Sequence, residues 1–483
     1  MVAHLFREWC VMVSMILHHL AIGFVLSYPA VLTPAITADT TNDATDVHAT
    51  KGEASWIAAA FSMTGGVGFL LLPPLMQIYG RRFINVTMNL VIFTGWVIIA
   101  LAPNVPTIIA GRTIQGLSFG GLYICSILAG EYSHPKRRGF FIIFKISATG
   151  IGELICHGFG FSVSWRRMAW IASVPPALAA LGTVVWPESP QWLAYKGRFD
   201  ECVSSFEWLR GNGAEAQKEL KEMITAQQEL RNMKKSRKSG ALMRNLQAMK
   251  SKEFLKPFTV VLMLIILTQV CGRHYLLAYV VQIMISLTGD ESQAYYYTIG
   301  LDVMKILAVL TTSYIVRIFK RRHLLLYSSV VACVLLSLVC LFHLLQQKSI
   351  LTVPWLTPLL LILYNIVCYL GVIPVSMVLK GELLPIEYKG LGTSVLGIFY
   401  ALSSMILIKS TSIMLDAIDA HGTFGVYTVI AVICIGFLYF ILPETKDRTL
   451  QDIELEFVDI RMPKEDDHLE MSAVANSKLL TVS

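Results

Sequence analysis

Twelve apolar blocks, each about twenty residues long or more, punctuate this chain, and no other feature limits its fold so strongly. They run at about 9–32, 54–78, 84–102, 107–129, 140–162, 168–186, 255–287, 293–316, 324–345, 354–379, 391–415 and 424–442. A helix of about 20 residues crosses the ~30 Å hydrocarbon core of a bilayer. Inside that core every backbone N–H and C=O must be bonded internally, which a helix achieves. Of the 483 residues 15% are charged and 55% apolar. That leaves too little charge to cover a soluble enzyme of this size, and the balance argues against a disordered chain or a nucleic-acid binder. The reading is an all-α membrane protein with twelve transmembrane helices.

A hydrophilic stretch separates six blocks from six. The expected division is therefore a six-helix bundle over 1–193, linker helices over 194–254, a second bundle over 255–445 and a tail over 446–483. Residues 214–232 carry Lys218 and Glu222 at helical spacing, as a solvated linker helix does. The polar tail from 461 onward is expected to be disordered. Basic residues set the orientation. Arg81 and Arg82, the Lys136–Arg138 run, Lys234, Lys235, Arg237 and Lys238, and Arg317 with Lys320–Arg322 all fall in loops on one side. The opposite loops are poor in Lys and Arg, apart from Arg166 and Arg167. Both termini and the linker are therefore expected in the cytoplasm, and the net charge of +7 reflects these loops rather than a nucleic-acid partner.

No cofactor or catalytic constellation is apparent. The nine cysteines form no CxxC pair, so neither a disulfide framework nor a metal site is expected. The first block is long enough to span and lacks a small-residue cleavage site, which argues against a removable signal peptide. The glycine runs at 65–68 and 150–152 lack the Lys-Ser/Thr of a phosphate loop and suit close helix packing instead. The sequon at Asn85 falls on the cytoplasmic side.

Three loop signatures occur twice in the same order. Gly80-Arg81-Arg82 matches Lys320-Arg321-Arg322. The segment from Glu131 to Arg138-Gly139 matches that from Glu382 to Lys389-Gly390. Pro187-Glu188-Ser189 matches Pro443-Glu444-Thr445. The separations of 240, 251 and 256 positions are nearly constant, so the halves read as related copies in parallel orientation. Such repeats build a binding cavity where the two halves meet near the membrane midplane. Arginines at loop ends facing carboxylates suit a gate that must break and re-form. The gating set is Arg81, Arg82, Arg112, Glu131, Arg138, Glu188, Arg321, Arg322, Glu382, Lys389 and Glu444.

These residues resemble the sugar porter family of the major facilitator superfamily, over about residues 10–457. The matching motifs are Gly80-Arg81-Arg82, GRTIQG at 111–116, Glu131 with Arg138-Gly139, PESPQWL at 187–193, Glu382 with Lys389-Gly390, and PETKDRTL at 443–450. The EYSHPKRRG form and the HGTF run at 421–424 are most similar to the insect branch that contains facilitated trehalose transporters. The resemblance implies two pseudo-symmetric six-helix bundles with short cytoplasmic helices, a sugar as the solute, and facilitated diffusion. It also implies a monomer, surrounded by membrane lipids, in the plasma membrane.

The chain departs from the family pattern at Gln77, Arg317 and Lys320 in the loops. Its seventh span reads Thr268-Gln269-Val270-Cys271-Gly272-Arg273-His274 where the family has a run of sugar-binding amides. Ile146, Val375 and Tyr400-Ala401 stand where Gln, Trp and Asn-Trp are usual. Ser27 occupies the place of the acid that proton-coupled members have opposite Arg112, which favours facilitated diffusion. The substrate-lining set is therefore read as Gln269, His274, Tyr279, Glu153 and Tyr400, with a redirected solute preference. A transport-weak sugar sensor and a proton-coupled symporter of a non-sugar solute are the alternatives. Ionisable groups at membrane depth are functional candidates by default: His18, His19, Glu153, Arg273, His274, Asp302 and Lys305. Asp302 and Lys305 are expected to neutralise each other, with a Glu153–Arg273 pair across the cavity as a further option. Lys145 and Lys409 are expected to snorkel.

Overall fold

The computed structural model describes residues 2–37, 47–134, 137–236, 252–350, 353–383, 389–446 and 448. The first half comprises α1 (Val2–Thr37), α2 (Lys51–Tyr79), α3 (Arg81–Ala100), α4 (Val105–Gly116), α5 (Gly121–Tyr132), α6 (Arg138–Gly160) and α7 (Trp165–Val185). Three short helices follow: α8 (Pro190–Lys196), α9 (Phe199–Arg210) and α10 (Ala214–Ser236). The second half holds α11 (Lys252–Val270), α12 (Tyr275–Thr288), α13 (Glu291–Ile318), α14 (Arg321–Gln347) and α15 (Leu356–Val367). A π-helical turn at Cys368–Val372 leads into α16 (Ile373–Glu382), and α17 (Lys389–Ile441) completes the half.

Helices α4 and α5 form one span, as do α11 with α12 and α15 with α16. Eleven helical stretches among the described residues are then long and apolar enough to cross a membrane. The last, Gly392–Ile441, has 50 residues, more than twice a crossing at 1.5 Å per residue. It folds back at Asp419, whose φ of 57° and ψ of −175° cannot continue a helix. The result is the twelve-span all-α architecture expected from the apolar blocks.

Helix contacts repeat between the halves. Span 1 packs on span 5 (α1 on α6), and span 7 packs on span 11 (α11 and α12 on α17). Span 3 packs on span 6 (α3 on α7), and span 9 packs on span 12 (α14 on α17). The halves join along α2 with α17, along α6 with α13, and along α1 with α12. A twofold axis that exchanges the halves turns the span 2–11 seam into the span 8–5 seam, so the contact map carries the duplication read from the loops.

Glycine permits the tightest crossings. A Cβ on Gly152 would lie 2.3 Å from Leu20 O, and one on Gly68 would lie 2.4 Å from Leu117 O. Both glycines belong to the runs read as packing surfaces. One apolar cluster continues through both halves from Ala21 to Leu442, and a second, in the first half, gathers Val11, Leu72, Ile84, Leu128 and Trp186. Helices α8–α10 have a small core of their own around Trp192, Leu193, Cys202, Phe206 and Leu220. The expected tail disorder concerns residues outside those described.

Candidate functional site

Span 7 is interrupted between α11 and α12 by turns at 271–274, where Gly272 takes φ 90°. The interruption lies midway along the span and between the halves. His274 bridges two neighbours there: its Nδ1 is 2.8 Å from Gln269 Oε1 and its Nε2 3.2 Å from Tyr400 Oη. Gln269 closes the ring by donating Nε2–H to Tyr400 O at 3.0 Å. Phe69 and Phe119 of the first half cover this group. Phe119 lies 5.8 Å from the His274 ring and 5.7 Å from the Tyr400 ring, and Phe69 lies 6.3 Å from Tyr400. Two cations reach the same Tyr400 ring: Arg273 at 6.0 Å and Lys380 at 5.5 Å from its centroid.

Three of the five expected lining residues thus come together: Gln269, His274 and Tyr400. Tyr279 sits in α12 beyond the break and is only 2% exposed, packed within the apolar core. Glu153 lies beside this group, in the adjoining α6–α13 seam. There it pairs with Lys305 across the two halves, while His157 Nδ1 sits 2.6 Å from Asp302 Oδ2. All four side chains are at most 6% exposed. Two expectations are corrected. Asp302 and Lys305 make their direct contacts with α6 rather than with each other, and Glu153 pairs with Lys305 rather than Arg273. The i,i+3 acid and base of α13 meet the i,i+4 pair of α6 rung for rung, and burial favours that complementary match over a pair within one helix.

Lys145 is a further correction. It is 4% exposed and donates to Ser126 Oγ at 2.5 Å, so it points into the bundle instead of snorkelling. Lys409 reaches across a seam to Ser55 Oγ at 2.5 Å and Gly52 O at 3.1 Å. Arg112 is buried, and no carboxylate partners it among the described residues. Its guanidinium donates to Val25 O at 2.7 Å, Ile57 O at 3.2 Å and Gln115 Oε1 at 3.2 Å. Ser27 instead bonds back to Gly23 O at 2.8 Å. His18 Nδ1 lies 3.0 Å from Asn89 Oδ1, and His19 Nδ1 lies 3.0 Å from Met15 O.

The repeated loop signatures form two clusters with the same wiring. In the first, Arg81 holds Glu131 through Nε at 2.8 Å and Nη2 at 2.7 Å. The backbone N–H groups of Arg81 and Arg82 donate to Glu188 Oε1 at 2.7 and 3.2 Å. Arg82 caps Val184 O at the end of α7. In the second, Arg321 pairs with Glu382. The N–H groups of Arg321 and Arg322 donate to Glu444 at 3.0 and 3.2 Å, and Arg322 caps Tyr439 O at 2.7 Å. Burial alone would raise the Glu444 carboxyl. N–H groups of Lys446, Arg322, Arg321 and Thr445 outweigh it and hold the group below its ordinary value.

One departure acquires a reason here. Gly80 has φ 102°, and a Cβ would lie 2.2 Å from Glu188 Oε2. Lys320 in the same place has φ −64° and ψ 133°, an ordinary extended backbone that needs no glycine. The side chains of Arg138 and Lys389 lie outside the described structure, as does that of Arg317.

Lys380, Phe69, Phe119 and His157 were not singled out from sequence. Lys380 falls one residue beyond its apolar block, so it reads as a loop-flanking base. A Glu8–Arg137 pair beside the first cluster, with His134 N–H on Glu8 Oε1 at 2.7 Å, also escaped the motif reading. His343, Asp419 and His421 bring potential metal-binding atoms within 4.8 Å of one another. Asp419 Oδ1 already accepts from Ser286 and the Ala420 N–H, and Oδ2 accepts from Gln347. The aspartate thus ties the turn in α17 to neighbouring helix ends.

Residues 10–457 match the model of the sugar (and other) transporter family. Facilitated trehalose transporter Tret1 of Aedes aegypti is 28% identical over 471 residues, 97% of this chain and 56% of that protein. Tret1 of Apis mellifera ligustica is 26% identical over 440 residues, 91% of this chain and 86% of that protein. The chain spans about half the length of the Aedes, Drosophila mojavensis and Drosophila virilis relatives, at 56, 52 and 50%. Among solved structures, the inward open xylose transporter XylE from E. coli superposes with a TM-score of 0.74 at 17% identity, over 93% of this chain and 99% of that one. The proton:xylose symporter XylE bound to 6-bromo-6-deoxy-D-glucose gives a TM-score of 0.71 at 18% identity.

Proposed function

Because the chain belongs to the sugar (and other) transporter family and adopts the major facilitator fold, we propose that it carries a sugar-like solute by alternating access and facilitated diffusion. The observation that carries this reading is the central group at the span 7 break. There an amide, an imidazole and a phenol from the second half meet two phenylalanines from the first half. A site made jointly by two bundles changes accessibility when they rock against each other. Aromatic faces suit the C–H face of a pyranose, and polar groups at the rim fix its orientation.

Gln269, His274 and Tyr400 bind the solute directly. Arg81, Arg82, Glu131 and Glu188, with Arg321, Arg322, Glu382 and Glu444, hold helix ends together on the face that carries the linker. The sequence motifs add Arg138 and Lys389 to these two gates, and Arg112 braces α1, α2 and α4. Facilitated diffusion is supported by Arg112, which rests on carbonyls and meets no carboxylate among the described residues. The basic loops support a cytoplasmic linker and cytoplasmic termini, and the plasma membrane is the expected location. Counterflow of radiolabelled glucose and trehalose in proteoliposomes tests the reading. Saturable exchange of either solute is expected. Binding without exchange of any solute would replace the carrier with a sensor.

A further inference from the structure

A neutral sugar leaves two cationic side chains at the centre without a counter-charge. Arg273 stands in the span 7 break and Lys380 rises from the last turn of α16, both directed at the Tyr400 ring. Lys380 also donates to Thr268 Oγ1 at 3.2 Å. Among the described residues neither forms an ion pair. Glu153, the acid that could offset Arg273, is engaged by Lys305, and Asp302 is engaged by His157. The positive end of another helix adds to the excess. α12 begins at Tyr275, and no side chain caps its first turn. Its leading N–H groups and dipole therefore face the break. Half-helix N-termini at a break in the membrane recur where carriers hold an anionic group.

The energetics favour an occupant of negative charge. Two cations beside one ring repel each other, and a cation withdrawn from bulk water is costly until an opposite charge meets it. Neutral hydroxyls cannot supply that charge. The one amide of the lining set is held at both ends, Gln269 by Tyr400 and His274, so a hydroxyl reaches it only by displacing one of those bonds. We infer that the central site takes an anionic solute, a compact hydroxylated carboxylate such as a sugar acid. Its carboxylate is held by Arg273 and Lys380 near the start of α12, and its ring lies against Phe119 and Tyr400. This deepens the carrier reading and relies on it for the position of the solute.

D-Glucuronate and D-glucose isolate the claim, because they differ only in a carboxylate replacing a hydroxymethyl group. Binding to the purified full chain is measured calorimetrically at fixed ionic strength, since screening alone alters charged contacts. Glucuronate is expected to bind at least tenfold more tightly than glucose. Lys380→Gln and Arg273→Gln are each expected to remove that preference, with Lys380→Arg restoring most of it. If Arg273→Gln does not fold, the two Lys380 variants carry the test. Glucose binding as tightly as glucuronate overturns the inference, as does chloride competing as well as glucuronate. Absence of binding by either solute also overturns it. Glucose counterflow separates the two readings: exchange without a glucuronate preference removes only the anion, and no exchange of any solute removes the carrier as well.

Discussion

The α6–α13 and α2–α17 seams occupy equivalent places in the twofold arrangement, and opposite chemistries hold them. In the first, Glu153, His157, Asp302 and Lys305 form two buried rungs, extended by Tyr295 Oη on Gly158 O at 2.8 Å. In the second, Ser62 and Ser404 hydroxyls meet at 3.1 Å, and Gly397 leaves room for Phe69. Its charges, Lys51 with Asp416 and Lys409, stay near one end. The two seams share their helix pairing and differ in the side chains they offer each other. An ionic ladder enforces one registry, because a slip strands charge in a dry interface. Hydroxyls and glycines tolerate a small slide.

The largest expected effect breaks the ionic seam. Lys305→Met leaves Glu153 unpaired and should destabilise the protein by about 3–5 kcal/mol. Unfolding of the purified protein in detergent measures it. The double variant Lys305→Met with Glu153→Gln should recover most of that loss. A single variant as stable as the parent would show that the ladder does not hold the seam.

The two loop clusters repeat the contrast of equal position and unequal burial. Arg81 and Glu131 side chains are each 8% exposed, whereas Arg321 and Glu382 are 22 and 23% exposed. Glu131→Gln should therefore cost about 2–3 kcal/mol, by weakening charge-assisted hydrogen bonds to a buried guanidinium. Glu382→Gln should cost about 1 kcal/mol or less, as exposed pairs do. Equal losses in the same unfolding measurement would mean that burial does not separate the clusters.

Acid should loosen the second cluster in a defined direction. The Glu444 carboxyl is held below its ordinary value of 4.5. Its stabilisation is complete above that value and declines as pH falls below it through the folded-state value. A pH series comparing the parent with Glu444→Gln should show the difference between them shrinking below about pH 4.5. A difference independent of pH would remove Glu444 from this role. The smallest effect belongs to the neutral seam. Ser404→Ala should change stability by about 1 kcal/mol or less, since one hydroxyl pair contributes little net.

These contrasts also mark what a single sequence could convey. Span positions, duplication and loop motifs were legible because length, order and spacing survive in one dimension. Partner choice was not. Asp302 and Lys305 share a face of one helix, and only the arrival of α6 with Glu153 and His157 decides whom they meet. Lys145 lies two turns inside α6, and its environment depends on Ser126 of α5. Lys380 escaped because the end of an apolar block resembles a loop, while its side chain reaches back to Thr268. The glycine lost at Lys320 looked like damage to a motif, and its extended backbone shows why the wiring survived.

Two bundles rocking about a shared site require distances on the two faces to change in opposition. Spin labels at positions 51 and 416 report the face where Lys51 now holds Asp416 at 2.8 Å. Labels at the exposed positions 83 and 320 report the face of the loop clusters. Double electron–electron resonance in lipid nanodiscs should give two populations for each pair, and adding solute should lengthen one distance while shortening the other. A single unchanged distance for both pairs, in protein that performs counterflow, would contradict the account.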